Sequence, residues 1–463
     1  MERETSDFNK AQTRSSCSCS HDEHEHAREH QVQSEHGCTH EHGQAAKNEH
    51  ARNESAPSRS SGDLNSTPNA NRIHIGFFGR RNAGKSTVVN ALAGQEVSIV
   101  SSVKGTTTDP VTKAMEILPI GPVLLIDTPG IDDTGGLGEM RVARTNKMMA
   151  RTDIAVLVID NFVGLSDQDK ELIKTFRKRE IPFLVAFNKI DLGIEALNSG
   201  EVVSEDYGFP FVKLNAREGE GIDDLKNMLV ELSKDLVHEI NIINDVIPEN
   251  SVVILVTPID SSAPKGRLIL PQVQTIRDIL DGHCISMICQ PEELPNCIDA
   301  LENYPFAVVT DSQAFDEVND MVPDEVYLTS FSILFARFKG ILDTALRGAI
   351  SAETLKDGDK VLISEGCTHH RQCEDIGTVK LPKWLEEFSG AKLDFSFTQG
   401  GDYPSDLSEY DLIVHCGGCM LNEKEMRYRM NLAEEQDIPF TNYGTLIAHM
   451  NGILMRSVEI FHQ

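Results

Sequence analysis

Positive charge is scarce in this chain. Its 463 residues hold 43 Lys and Arg against 72 Asp and Glu, a formal net charge of −29. Affinity for nucleic acid rests on Lys and Arg displacing counterions from phosphate, so this acidic balance argues against DNA or RNA as the main partner. Long apolar runs are missing as well: no stretch approaches the roughly 18 consecutive apolar residues that a membrane span needs. The opening residues, Met1-Glu2-Arg3-Glu4, lack the basic-then-apolar order of a secretory signal, and their carboxylates argue against a transit peptide. These absences predict a cytoplasmic protein with no membrane partner. Cysteines number ten, and in that compartment they are expected as thiols or metal ligands rather than as disulfides.

The length suggests about three domains, and the pattern divides the chain into a tail and three blocks. Residues 1–71 are polar and low in complexity, with His21, His24, His26, His30, His36, His40, His42 and His50 among Glu, Ser and Gln. Too little apolar surface is present there to offset chain entropy, so a disordered tail is expected. Its imidazoles and thiols could bind Ni2+ or Zn2+ loosely. Over 72–240, apolar runs at Ile73–Phe78, Val123–Ile126, Ile154–Ile159, Phe183–Phe187 and Phe211–Leu214 alternate with amphipathic stretches at Lys85–Leu92, Gln168–Arg179 and Ile222–Leu236. That alternation predicts a mainly parallel sheet covered on both faces. Residues 241–348 repeat the rhythm with strands at Val252–Val256, Ile285–Cys289 and Ala307–Thr310. The block ends on Phe331, Leu334, Phe335, Phe338, Ile341, Leu342 and Leu346, which fall on one helical face. Such a stripe either packs inside its own domain or forms a dimer face. Residues 349–463 predict strands at Val361–Ser364, Leu393–Phe397 and Leu412–His415 and helices at Val379–Phe388, Glu423–Glu435 and Thr445–Gly452. The expected class is therefore α/β: a nucleotide-binding domain followed by two smaller α/β domains.

Gly79-Arg80-Arg81-Asn82-Ala83-Gly84-Lys85-Ser86 fits the phosphate-binding loop GxxxxGK[ST], and it stands where that loop must, between a strand and a helix. Its backbone N–H groups would face the phosphates, Lys85 would bring charge to the β- and γ-phosphates, and Ser86 would ligate Mg2+. Three further motifs follow in order. Asp127-Thr128-Pro129-Gly130 ends a strand, with Asp127 near the metal shell and Gly130 near the γ-phosphate. Asn188-Lys189-Ile190-Asp191 also leaves a strand; the Asp191 carboxylate can accept from guanine N1–H and N2–H, which adenine does not present, and Asn188 can reach the other edge of the base. Asn215-Ala216-Arg217 backs the base. The GTP-contacting set is Gly79, Asn82, Ala83, Gly84, Lys85, Ser86, Thr87, Asp127, Gly130, Asn188, Lys189, Asp191, Asn215 and Ala216. Gly105-Thr106-Thr107-Thr108-Asp109 occupies the place of the first switch loop, and Thr107 is the expected Mg2+ ligand.

This switch run, with Asn82, resembles the tRNA-modification and ribosome-assembly branch of GTPases. The resemblance implies that Asn82 helps bind K+ beside the phosphates, where the cation replaces an arginine finger. Ile131 stands where Ras-like enzymes place a water-orienting Gln. Slow, K+-stimulated hydrolysis is expected, with Lys85, Asn82, Thr107 and Gly130 as the catalytic set, and a switch fits better than a high-turnover enzyme.

Cys367-Thr368-His369 and His415-Cys416-Gly417-Gly418-Cys419 follow two of the predicted strands of the third block. If those strands are parallel in one sheet, both motifs sit at its carboxyl edge, the usual ligand side of such folds. Three thiolates and two imidazoles at this spacing would satisfy a Cys3His zinc site. They would equally hold a 4Fe–4S cluster through Cys367, Cys416 and Cys419, with His369 and His415 as ligands or as donors behind them. Cys373 and the middle cysteines, Cys284, Cys289 and Cys297, are off the pattern.

From residue 72 onward, the order of GTPase domain, middle α/β domain and Cys-x-His…His-Cys-x-x-Cys resembles the HydF family of FeFe-hydrogenase maturation GTPases. The resemblance implies a 4Fe–4S cluster on Cys367, Cys416 and Cys419 with an exchangeable fourth site, and a homodimer formed through the middle domain. It also implies a scaffold and carrier role for the diiron subcluster precursor, with two radical-SAM maturases and the apo-hydrogenase as partners. The His-rich tail is outside the resemblance. Two other readings compete: a nickel-metallochaperone GTPase, suggested by that tail, and a tRNA-modification-type GTPase with a structural zinc site.

Overall fold

In the computed structural model of the chain, the described residues are 67–94, 101–103, 111–128, 145–192, 208–234, 236, 241–259, 268–366 and 376–462. The expected disordered tail therefore lies almost wholly outside them.

The first domain is built from β1 (Ile73–Phe78), α1 (Lys85–Gly94), β2 (Ser101–Val103), β3 (Val111–Ile117), β4 (Gly121–Asp127), a helix over 145–150 (α2), β5 (Ile154–Asp160), α3 (Asp167–Lys178), β6 (Phe183–Asn188), β7 (Phe211–Leu214) and α4 (Ile222–Ser233). Its seven-stranded sheet has the order β2-β3-β4-β1-β5-β6-β7. The five strands from β4 to β7 run parallel, and β2 and β3 are antiparallel additions at the edge. β1, β5 and β6 are buried along almost their whole length, because one face packs on Val88, Leu92, Leu225 and Leu229 while the other meets Met149, Ile173 and Phe176. Strands covered on both sides read as continuous apolar runs, and these were the ones predicted. β2 and β3 were not predicted; β3, next to the edge strand β2, is interrupted by Thr112, Lys113 and Glu116 and so offers no continuous apolar run. α3 starts where Ser166 and Asp169 form a reciprocal capping box.

The second domain contains β8 (Val252–Val256), α5 (Leu270–Asp281), β9 (Ile285–Cys289), α6 (Leu294–Asp299), β10 (Ala307–Thr310), α7 (Phe315–Met321), β11 (Tyr327–Ser330) and α8 (Phe331–Phe338), with a parallel sheet ordered β11-β10-β8-β9. The third contains α9 (Leu342–Ser351), β12 (Lys360–Glu365), α10 (Leu381–Ser389), β13 (Asp394–Gln399), β14 (Leu412–His415), α11 (Glu423–Glu434), β15 (Phe440–Asn442) and α12 (Tyr443–Met450) around a parallel sheet ordered β13-β12-β14-β15. The short strands β11 and β15 were missed by pattern.

The apolar stripe from Phe331 to Leu346 is not one helix. Gly340 takes φ 67° between α8 and α9, and a Cβ there would also lie 2.2 Å from the Arg427 guanidinium. Phe331, Leu334 and Phe335 pack against Val253, Leu255 and Val309, while Leu342 and Leu346 lie against Ile333 and Ala349. The stripe is thus buried inside the chain but divided between domains, since Ile341 packs with Leu362 and Ile413 of the third. The last helix, α13 (Leu454–Val458), returns to the middle sheet: Leu454 and Val458 join Val308 and Leu328, and Arg456 bonds Asn319 Oδ1 at 2.7 Å and Val322 O at 2.9 Å.

Candidate nucleotide site and thiolate site

The loop after β1 takes left-handed backbone at Gly79 (φ 136°), Asn82 (φ 61°) and Gly84 (φ 94°), which turns successive N–H groups toward one concavity and makes an anion cradle. Lys85, buried at the start of α1, donates from Nζ to Gly79 O at 3.0 Å and Arg80 O at 2.9 Å. Its ammonium is thereby held at the mouth of the loop. Ser86 Oγ donates to Asp127 Oδ2 at 2.5 Å, so the hydroxyl of α1 and the carboxylate ending β4 meet where Mg2+ would need both oxygens. Thr87 is the next, exposed residue of α1.

Asn188 spends its amide on protein. Nδ2 donates to Ala83 O at 3.0 Å and Oδ1 accepts from Ala216 N at 3.1 Å. The side chain therefore ties the phosphate loop to the turn after β7. A Cβ on Gly84 would lie 2.2 Å from that Nδ2, so glycine is required for the tie. Lys189 pairs with Asp160 at 2.7 Å, and Asp191 stands exposed in the turn Ile190–Leu192. The buried Asn215 closes its own turn, accepting from Arg217 N at 3.2 Å. Sequence reasoning missed Asp160 as the partner of Lys189; the signal was an acidic residue ending a parallel strand beside the β6 motif. Thr107, Gly130 and Ile131 lie outside the described residues.

At the third sheet, β12 and β14 are parallel neighbours with Ser364 opposite His415, so the chain leaves both strands at the same carboxyl edge. Cys416 Sγ accepts from Gly366 N at 3.1 Å and from Gly418 N at 3.4 Å. Gly366 immediately precedes Cys367, which with His369 and Cys373 falls outside the described residues. Cys416 and Cys419 are both half-buried free thiols. Burial pushes the Cys416 thiol up, against the pull of the two N–H donors. Burial, and then the charge of Cys416, push Cys419 up to about 11. Two thiols that resist ionisation as neighbours ionise when a metal supplies the compensating charge, with release of their protons. The Lys339 ammonium lies within the field of Cys419; burial lowers it to about 8, against the attraction of Glu423, Cys419 and Asp153. Among the described residues no three His, Cys, Asp or Glu side chains gather as a metal-holding group. Two thiols on one short loop with backbone N–H groups on sulfur do fit a thiolate-held metal centre.

His415 is fully buried, and both ring nitrogens are engaged. Nδ1 is 2.8 Å from Cys416 O and Nε2 is 3.0 Å from Arg429 Nη1. A carbonyl only accepts, so Nδ1 carries the proton and Nε2 accepts from Arg429. Burial, and next the Arg429 charge, push the imidazole down to about 3, which keeps it neutral. Arg429, itself buried, donates to Glu425 Oε1 at 2.7 Å and to Gly400 O at 2.5 Å, and its guanidinium lies 5.1 Å from the Tyr403 ring. Sequence reasoning missed this pair, although Glu425 and Arg429 stand four residues apart on α11, a spacing that signals a helical ion pair.

The nucleotide domain has the fold and the ordered motifs of a P-loop GTPase, and two further α/β domains follow it. Residues 74–189 match the family described as 50S ribosome-binding GTPase. Residues 242–340 match the hydrogen maturase F dimerization domain and 343–460 the hydrogen maturase F tetramerization domain. The chain belongs to the hydrogen maturase F family.

Among individual relatives, the tRNA modification GTPase MnmE of Chromobacterium violaceum is 36% identical over 161 residues, 35% of this chain and 34% of that protein. The GTPase Der of Wolinella succinogenes is 34% identical over 189 residues, 39% of this chain and 40% of its own length. The chain thus spans well under half the length of these relatives. The G domain of the T. maritima FeoB iron transporter matches 35% of this chain and 99% of its own, at 25% identity and a TM-score of 0.29. Among the described residues no helix is long and apolar enough to cross a membrane.

Proposed function

We propose that the chain is a GTP-binding and GTP-hydrolysing maturation factor that holds a 4Fe–4S cluster on Cys367, Cys416 and Cys419. It would carry the diiron subcluster of the FeFe-hydrogenase active site, with radical-SAM maturases and the apo-hydrogenase as partners, in the cytoplasm. The observation that carries this reading is the bond from Gly366 N to Cys416 Sγ at 3.1 Å, since it brings the residue before Cys367 onto the sulfur of the second motif. When bound, the cluster would supply an iron with a coordination position left for cargo. The chain's own residues do the rest: His415, with both nitrogens engaged, braces the Cys416 backbone, and Lys339 offsets negative charge beside Cys419. Homodimerisation through the middle domain is supported by its family match and by the edge strand β9, where Ile285 and Ile288 are exposed. The tRNA-modification reading rests on relatives that match the first domain alone, and the charge of −29 disfavours it.

Hydrogenase activity in cells tests the role. A strain expressing an FeFe-hydrogenase with this chain as its sole factor of this kind is expected to show activity. The same strain with Cys419→Ala should show none, and equal activity in both would end the carrier proposal. Within the GTPase, Ser86 and Thr107 hold Mg2+ and Asn82 helps hold K+. Hydrolysis is expected to run faster in K+ than in Na+ at equal ionic strength; equal rates would remove K+ from the mechanism.

A further inference from the structure

The third domain touches the GTPase sheet at the end opposite the phosphate loop. Asp153 N donates to His74 O at 2.8 Å at the entry of β1, whereas the phosphate loop begins at Gly79, past its exit. Thr128, by contrast, stands at the nucleotide end, its Oγ1 donating to Phe77 O at 2.5 Å. The chain between these two edges is the run that begins at Pro129-Gly130 and finishes as α2, whose last turn is closed by Arg151 N and Thr152 N on Met148 O and Met149 O at 3.2 and 3.1 Å. α2 thus delivers the chain that leaves the γ-phosphate motif to the foot of the third domain.

Arg151 makes the contact there. Its Nε lies 2.8 Å from Glu425 Oε2 and its Nη2 3.0 Å from Glu425 Oε1. Its carbonyl accepts from Asn422 Nδ2 at 3.0 Å, and the same Asn422 caps α11 by accepting from Glu425 N at 3.1 Å. Lys424 Nζ reaches Thr152 O and Asp153 O, each at 3.4 Å. Glu425 also holds Arg429, Arg429 holds His415 Nε2, and His415 Nδ1 holds the carbonyl of Cys416. Four consecutive contacts therefore run from the end of α2 to the backbone of a thiolate residue. Every side chain between Arg151 and that carbonyl is buried, so the links cannot be exchanged for water when one of them shifts.

We propose that Arg151 is a positioning residue, which sets the Cys416–Cys419 loop through Glu425, Arg429 and His415 according to the nucleotide held at the phosphate loop. In GTPases the segment after the γ-phosphate motif is ordered or released with the γ-phosphate. Here that segment ends on Arg151. A shift of α2 moves the guanidinium against a carboxylate that it shares with Arg429, and the disturbance reaches the sulfur-bearing loop through Arg429 and His415. The proposal rests on the reading of these cysteines as the cluster site, and it adds the link by which the nucleotide domain addresses them.

The test uses the full chain, metal-free and reduced under nitrogen. Alkylation of Cys416 and Cys419 by iodoacetamide is followed by mass spectrometry, with GDP and with a non-hydrolysable GTP analogue. In the unsubstituted chain the two rates are expected to differ by about fivefold or more, the range of ordinary allosteric coupling. Arg151→Ala and Glu425→Gln should each bring the ratio to one at whatever baseline rate they show, and Arg151→Lys, which keeps the charge, should restore part of it. A merely structural Arg151 would alter the baseline and leave the ratio. An unchanged ratio in Arg151→Ala, or a ratio of one in the unsubstituted chain with nucleotide bound, overturns the link. Iron uptake by the same preparations separates the two claims: a chain that loads iron with a ratio of one loses the link and keeps the carrier reading, whereas a chain that loads none loses the carrier reading whatever the ratio.

Discussion

Replacing Lys85 by Ala is expected to weaken GTP binding roughly 100-fold and to leave the thiolate site able to take up iron. The ammonium is buried at the mouth of the phosphate loop and satisfied by two backbone carbonyls, Gly79 O and Arg80 O. It is positioned in advance for the β- and γ-phosphates and gives up little solvation on meeting them. Removing such a charge from a desolvated ion contact costs about 3 kcal/mol, or roughly 100-fold in affinity. The loop itself should survive, because Gly79, Asn82 and Gly84 keep their backbone and Asn188 still joins Ala83 to Ala216. The thiolate loop lies by the other end of the sheet, where Asn422, three residues past Cys419, bonds Arg151 O and His74. Titration with a fluorescent GTP analogue, beside the visible absorbance of iron-reconstituted protein, reads both halves. Undiminished nucleotide binding would contradict the assigned role of Lys85. Loss of iron uptake in the same variant would contradict the separateness of the two sites.

What the sequence made legible follows from where each signal resides. Buried parallel strands such as Ile154–Asp160 are continuous apolar runs, and the GTPase motifs are local, so both could be read without a structure. The runs that became β12 and β14 were legible as strands, and their parallel pairing, a condition of the sequence reading, is what the fold adds. Short edge elements escaped: β15 has three residues, Phe440–Asn442, too few for a period to show. The break at Gly340 escaped because the apolar spacing runs on across it, while the break itself is the left-handed backbone at that one glycine. The link from Arg151 to Glu425 escaped because those residues stand 274 positions apart, and a lone arginine carries no mark of its distant partner. The tie from the Asn188 amide to Ala83 and Ala216 could not be read from its motif, because both partners lie in other loops of the fold.

The second large effect concerns the thiols. Cys416 receives two N–H groups on its sulfur, and burial pushes both it and Cys419 up. Donors placed in this way would stabilise a thiolate bound to iron. Cys416→Ala removes the sulfur nearest Gly366, so it should eliminate iron binding rather than weaken it. Two remaining thiolates leave a cube with two unsupported irons, and such a cluster is lost on desalting. Cys419→Ala and Cys367→Ala should behave alike, whereas Cys373→Ala and Cys297→Ala should not.

Iron and sulfide counted per chain after oxygen-free reconstitution and desalting, with the electron paramagnetic resonance of the reduced sample, test the whole account in one preparation. Close to four irons and four sulfides with a cubane signal, absent when any of Cys367, Cys416 and Cys419 is replaced, is the predicted result. Colourless protein that retains one zinc and no sulfide would contradict it.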